Sequence, residues 1–331
     1  MCTSVIYQTK NTYFGRNLDL DYSYHETITI TPHNFPFHFA ALPDLTSHHA
    51  IIGVAYVVPD ANGQDYPLYY DAVNDMGLGI AGLRFANNAA YFDKIADKDN
   101  VAPHEFIPYI LGNCASVAEA RKKLANMSFY RHDFNADLPT SDLHWIITDT
   151  RESIVVESTA DGLHVYDNPV GVLANNPVFP DQLLNLSNYL SVSPANHQNS
   201  FAPAVPLAQY SRGLGTKFLP GGMDSESRFV KAVFTKQHAT SPDDELSSIS
   251  QYFHILHSVD QSRGSDQTNL DPVEFEITVY SSGYNLEQGI AYYTCYDNHQ
   301  ISAVDMHKTD LDSAELVSFP MINTEQINYQ N

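Results

Sequence analysis

Residues 1–10 read MCTSVIYQTK, so one of the three cysteines in 331 residues stands directly behind the first methionine. Three readings compete for it: chance, a small strand residue, or a nucleophile freed by loss of Met1. Loss of Met1 would place a thiol and an α-amine on one residue. An α-amine titrates at about 7.7–8.0 when unperturbed, close enough to neutrality to act as a base, and a thiol beside it is readily activated by a neighbouring cation. Outward from Cys2, TSVIYQ and YFGRNLDL (13–20) are β-branched and aromatic, with Lys10–Asn11 between them. That pattern predicts a hairpin. Its pairing brings Arg16 near Cys2, with Asp19 three positions further on. A guanidinium favours an anion beside it and a carboxylate favours an ammonium. An exposed Arg16–Asp19 ion pair, the bland alternative, is worth little.

The sequence holds 39 Asp and Glu against 17 Lys and Arg, a formal net charge of −22. Such a surface repels phosphate backbones and anionic headgroups, which argues against nucleic-acid and membrane partners. The longest apolar run, AIIGVAYVV (50–58), is too short to span a bilayer. No charged-then-apolar leader precedes Cys2, so a cytoplasmic, reducing location is expected. Cys2, Cys114 and Cys295 lack CxxC spacing, so neither a disulfide framework nor a zinc knuckle is expected.

Further strands are expected at TITITP (27–32), PLYYDAV (67–73) and GLGIAGLRF (77–85). Two helices follow, PHEFIPYILGNC (103–114) and SVAEARKKLANM (116–127), the second with Ser116 and Glu119 as a capping box. Then come HWIITDT, ESIVVEST and GLHVYDN, whose weak alternation suits strands covered on both faces, and GVLANNP. Residues 188–209 are rich in Pro, Ser, Asn and Ala, yet Tyr189, Leu190, Phe201 and Tyr210 suit an ordered arm better than a free tether. The helices SESRFVKAVFTKQ and DELSSISQYFHILHSV come next, the latter with Leu246, Ile249, Phe253, Leu256 and Val259 at helical spacing. EFEITVYSS, GIAYYTCYDN and QISAVDM close the chain. The order suits an α+β single domain over 1–331, two packed sheets with helices outside, with two separate domains as the alternative.

MCTSVIYQ, FGRNLDLDYSY, YDAVNDMGLGIAGL, LHWIITD, SIVVEST, YDNPVGVLANNP, SRGLGTKFLPGGMDSESRF and the closing INYQN together resemble the choloylglycine hydrolase family. That family of bile salt hydrolases and penicillin V acylases lies within the N-terminal-nucleophile hydrolases, and the pattern is most like the bile salt hydrolases of lactobacilli. The resemblance implies a four-layer αββα sandwich, removal of Met1, Cys2 as nucleophile, Arg16 near the thiol and Asp19 on the α-amine. It implies Asn175 as an oxyanion donor, with Asn176 as the one-residue-shifted alternative, and Arg228 completing the polar network. The second oxyanion donor falls on the backbone N–H of Arg84. There the family's GLNF reads GLRF, which puts substrate preference in question. The implied substrate is a glycine- or taurine-conjugated bile salt, with Leu18, Tyr24, Tyr66, Phe134 and Arg84 lining its site. Penicillin V and N-acyl homoserine lactones are alternative amides, and a non-catalytic oligomeric protein is a more distant one. Neither a metal nor a cofactor is implied, and a homotetramer is, with 188–222 as assembly arm and loop.

Other signals carry less. His254 and His257 share a helical side without a third ligand, so a core placement is expected rather than a metal site. His48 and His49 follow a turn and are expected at the surface. Gly213, Gly215, Gly221 and Gly222 match no phosphate loop and are expected to shape a turn. No GxSxG elbow supports a serine hydrolase. SFYRHDFNADLP (128–139) suits either a pocket lining or ordinary packing.

Overall fold

In the computed structural model, which describes residues 1–269 and 271–331, the opening hairpin forms as the sequence suggests. Strand β1 (Cys2–Gln8) turns through Thr9–Asn11 into β2 (Thr12–Leu20), with Cys2 opposite Leu18 and Ser4 opposite Arg16. The free edge of β1 takes Val172–Leu173. The free edge of β2 takes Ile277–Asn285, then Ile290–Cys295 and Asn298–Asp305, completing a six-stranded antiparallel sheet. Gly15 is required where β2 meets its neighbour, because a Cβ there would lie 2.1 Å from the Ser282 carbonyl oxygen.

The second sheet has eight antiparallel strands. Its spatial order is Gly162–Asp167, Ser153–Thr159, Leu143–Thr148, Gly79–Arg84, Asp65–Asn74, Ile51–Pro59, Thr27–Thr31 and Val317–Pro320. Its central strands are largely apolar because both of their faces are buried. Ile52, Val54, Val73, Leu83, Ile146 and Val155 point to the first sheet. Ile51, Ala55, Ile80, Trp145, Ile147 and Ile154 point the other way, onto helices α1 (Phe106–Asn113) and α2 (Val117–Leu124). Trp145 stacks on Phe129 with ring centroids 4.6 Å apart, a pairing worth about 0.5–1.5 kcal/mol beyond its buried area.

After α3 (Phe179–Asn185), helices α4 (Ser225–His238) and α5 (Glu245–His257) cover the outer face of the first sheet through Phe229, Ala232, Ile249 and Phe253. The result is the αββα sandwich. No helix among the described residues is long and apolar enough to cross a membrane.

Several local expectations are corrected. Leu246 is 79% exposed, because it sits in the first turn of α5 on the side away from the sheet. Its companions Ile249, Phe253, Leu256 and Val259 are buried. His48 is buried, its ring nitrogens 2.7 and 2.8 Å from the His49 and Phe35 carbonyl oxygens. His254 is exposed rather than in the core, and half-buried His257 is shifted down to about 4 by burial. Ser116 caps α2 by accepting from the Glu119 N–H at 3.3 Å, but the Glu119 carboxylate accepts from Ala115 N–H at 2.8 Å, one residue early. Of the four loop glycines, Gly213 alone has positive φ; Gly215 is needed because a Cβ would strike the Ala195 carbonyl. Helix α3 and the short parallel pair Asp99–Val101 and Met127–Phe129 were not expected.

Candidate active site

The register of the hairpin decides what surrounds Cys2. Side chains alternate across a strand, so Cys2, Ser4, Arg16 and Leu18 face the second sheet while Thr3, Asn17 and Asp19 face α4 and α5. The paired strand Val172–Leu173 sets Ser4 opposite Leu173, and two residues further along that antiparallel ladder Asn175 comes level with Cys2. The Cys2 backbone N–H donates to Asn175 Oδ1 at 2.8 Å. Asn176 has no bond to Cys2; its Nδ2 donates to the Ala86 carbonyl at 2.7 Å.

Asn175 is fixed on every side. Its backbone N–H donates to Ser225 Oγ at 2.8 Å, its carbonyl accepts from Gln182 Nε2 at 2.9 Å, and its own Nδ2 donates to the Arg84 carbonyl at 2.8 Å. Arg228, one turn inside α4, is almost fully buried. Its Nη2 donates to Asn175 Oδ1 at 2.8 Å and its Nη1 to the Cys2 carbonyl at 2.6 Å and to Thr3 Oγ1. Burial pushes its guanidinium down, while Asp19, whose Oδ2 lies 3.7 Å from Nη1, pulls it back up. Removing one partner from such a buried set costs about 3–5 kcal/mol.

Asp19 is wholly buried and accepts from Thr278 Oγ1 at 2.7 Å; burial raises its carboxyl against the pull of Arg228 and the terminal ammonium. With Met1 in place, the terminal ammonium donates to the Asp19 backbone carbonyl at 2.6 Å and faces the Glu276 carboxylate. Asp19 therefore lies beside the chain terminus, its backbone oxygen rather than its carboxylate making the hydrogen bond. Burial lowers that ammonium, opposed chiefly by Cys2 and Asp19.

Arg16 crosses between the sheets. Pairing of Gly79–Arg84 with Asp65–Asn74 ends where Ala81 meets Asp71, so Tyr70 and Gly82 would be next in the ladder. There the Arg16 guanidinium enters instead, its Nη1 donating to the Gly82 carbonyl and, at 3.4 Å, to the Tyr70 carbonyl. Nη2 is buried and unpartnered among the described residues. Burial acts against this charge, and Cys2, Tyr280, Asp71 and Asp19 outweigh it, so its pKa is raised.

Beyond that opening lies a cavity of about 860 Å³ including its mouth, lined by Tyr24, Tyr56, Tyr69, Tyr70, Phe134 and Trp145 among others. Of the expected pocket residues, Tyr24 and Phe134 line it, and the loop 128–139 is thus a pocket wall. Tyr66 does not line it: it is buried behind Phe134, ring centroids 5.6 Å apart. Leu18 is buried opposite Cys2 rather than on the wall. The Arg84 side chain is exposed and outside the lining, and Asp75 is paired with His33 at 2.8 Å. The Arg84 backbone N–H faces away from Leu143–Thr148, because its neighbour Phe85 makes the ladder bond, to the Asp142 carbonyl at 2.9 Å.

Sequence reading missed four buried polar groups. Asp71 accepts from Tyr280, Ser282 and Tyr284 hydroxyls at 2.6, 2.6 and 2.7 Å. His144, Glu157 and Gln182 are also buried. Three of the four were visible as single ionisable residues inside apolar strands, in YYDAV, LHWII and IVVES, where an unpaired charge is expensive.

Comparison with known proteins shows the family. Residues 2–319 match the family described as linear amide C–N hydrolases, choloylglycine hydrolase family. A bile salt hydrolase/transferase of Lactiplantibacillus plantarum is 47% identical over 326 residues, 98% of each chain. One from Clostridium perfringens is 34% identical over the full length of both. A solved variant of conjugated bile acid hydrolase from C. perfringens superposes with a TM-score of 0.91, covering 100% of both chains at 34% identity. Penicillin V acylase from Agrobacterium tumefaciens, at 18% identity and a TM-score of 0.76 over 96% of this chain and 91% of that one, shares the fold. An αββα sandwich with Cys2, Asn175, Arg228 and Arg16 gathered at the meeting of its sheets, and a family match from residue 2 to residue 319, place this chain in the choloylglycine hydrolase family of linear amide C–N hydrolases.

Proposed function

We propose that the chain is a cysteine N-terminal-nucleophile amidase that cleaves the amide of glycine- or taurine-conjugated bile salts. The observation that carries this reading is the convergence of Asn175 and Arg228 on the backbone of Cys2, beside an aromatic-lined cavity. Once Met1 is gone, the Cys2 amine takes the thiol proton and the sulfur attacks the amide carbon. Asn175 Nδ2 and the Arg84 N–H hold the oxyanion that forms. The C–N bond then breaks, the ammonium protonates the leaving glycine or taurine, and the acyl group stays on sulfur as a thioester. Water, deprotonated by the amine, hydrolyses the thioester and frees the bile acid. Asp19 and Arg228 fix the terminus, and Arg16 stands beside the sulfur. Purified protein assayed against taurocholate, glycocholate and penicillin V tests the reading; inertness toward all three sinks it.

Arg84 favours a second reading, in which a different anionic amide such as penicillin V is preferred. Its exposed cation stands on the residue whose N–H is taken as the second oxyanion donor, and a cation there would pair with the anionic end of either substrate. Arg84→Asn is expected to raise KM for these anions by about three- to tenfold with little change in kcat, and added salt to reproduce part of the effect. Unchanged KM toward both taurocholate and penicillin V would remove Arg84 from specificity.

The arm supports assembly into a homotetramer. Leu190, Phe201 and Tyr210 are 87%, 93% and 77% exposed on a strongly acidic chain, an apolar strip that a lone subunit would rarely keep. The arm is held in shape by its own bonds, Asn196 Nδ2 to Gln209 Oε1 at 3.0 Å and Asn199 Nδ2 to the Val205 carbonyl at 2.8 Å. Light scattering at micromolar concentration should give four subunits, and Phe201→Asp should dissociate them; a monomeric parent chain would refute the assembly.

A further inference from the structure

We propose that the buried pair His144–Glu157 is a positioning device for both oxyanion donors, a role that rests on the reading of Asn175 and the Arg84 N–H as those donors. Both side chains lie on the inner face of the second sheet and neither is exposed at all. A buried ionisable pair among apolar strands returns little net stability. What this one holds is specific. His144 Nε2 donates to the Ala174 carbonyl at 2.8 Å, and its Nδ1 meets Glu157 Oε1 at 3.0 Å. The Glu157 carboxylate also accepts the Phe179 N–H, at 3.1 and 3.3 Å. The two ends of the segment Ala174–Phe179, which carries Asn175, are thereby tied to one point.

The same imidazole also bears on the other donor. It stacks on Phe85 with ring centroids 4.2 Å apart and planes 6° apart, and Phe85 directly follows Arg84. Asn175 Nδ2 bonded to the Arg84 carbonyl closes the circuit at 2.8 Å. Moving this ring shifts both donors together. A displacement of about 1 Å at an oxyanion site costs on the order of 10² in rate.

The test compares His144→Phe, which keeps the stack and loses both hydrogen bonds, with His144→Gln, which returns a donor near the Nε2 position. Readouts are kcat and KM for glycocholate, and the rate at which iodoacetamide alkylates Cys2, a reaction that forms no oxyanion. Should His144→Phe fold poorly through its stranded carboxylate, His144→Phe/Glu157→Leu takes its place. The expected result is kcat lower by about 10² in the Phe variant, KM within about threefold, alkylation unchanged, and about tenfold recovery in the Gln variant. Wild-type kcat in a folded Phe variant overturns the proposal. So does a parallel fall of kcat and alkylation, which is the signature of general loosening. A wild-type chain inert toward taurocholate, glycocholate and penicillin V alike overturns the reading of the site itself, and this role with it.

Discussion

A Cys2→Ser chain is expected to fold, lose Met1 and show no measurable amide turnover. A hydroxyl is far harder to ionise than a thiol, and loss of a nucleophile elsewhere costs on the order of 10⁶ in kcat. Cys114→Ala and Cys295→Ala should leave the chemistry nearly intact. Burial pushes the Cys114 thiol up to about 11 and that of Cys295 to about 12, so neither offers a thiolate at neutral pH. Mass spectrometry after iodoacetamide treatment should accordingly find one adduct, on a chain that begins at Cys2. Normal turnover by the serine variant would end the mechanism, and uniform retention of Met1 would leave the base amine blocked.

Asn175→Ala is expected to lower kcat by about 10²–10³, the usual cost of one oxyanion donor, with KM little changed. The loss here is compounded, because Asn175 Oδ1 also accepts from the Cys2 N–H and from Arg228. Asn176→Ala removes a bond to the Ala86 carbonyl and none to Cys2 or Arg228, and should cost under about tenfold. Steady-state kinetics on the two variants decide between neighbours. Equal losses would dissolve the distinction, and a larger loss at 176 would reverse it.

Much of this was legible in the sequence, for physical reasons that differ from residue to residue. The hairpin was legible because its strands are β-branched and its turn polar, and a correct register then carries Arg16 to the face of Cys2 without further information. Helix α5 announced itself by spacing, whereas the caps of α4 and α5, Asp224 and Asp244 accepting from the N–H groups of Ser227 and Ser247 at 3.0 and 2.9 Å, were not singled out in the sequence. Asn175 could be assigned by family pattern, but its separation from Asn176 lies in the parity of a strand only two residues long, too short to read. Tyr66 and Phe134 look alike in sequence; which one fronts the cavity is settled by a loop folding over the other. His48 looked exposed beside a turn, yet its ring is buried against Phe37, centroids 5.0 Å apart, a contact between distant positions that no local pattern reveals.

The Arg16 guanidinium has a mechanical consequence. In most sandwiches two sheets meet through side chains that interdigitate without direction, and such layers can slide by small steps at modest cost. Here a charged group rooted in one sheet occupies the place of a missing rung in the other, and three hydroxyls of the first sheet grip Asp71 of the second alongside it. A slip of either layer along its strands would pull a cation out of its carbonyl seat and strand a carboxylate at once. The sandwich is keyed against shear at the spot where one sheet carries Cys2 and the other much of the cavity wall. A dowel of polar atoms thus holds the strand of Cys2 in line with the sheet that walls the cavity, where apolar contacts alone would leave the two free to drift.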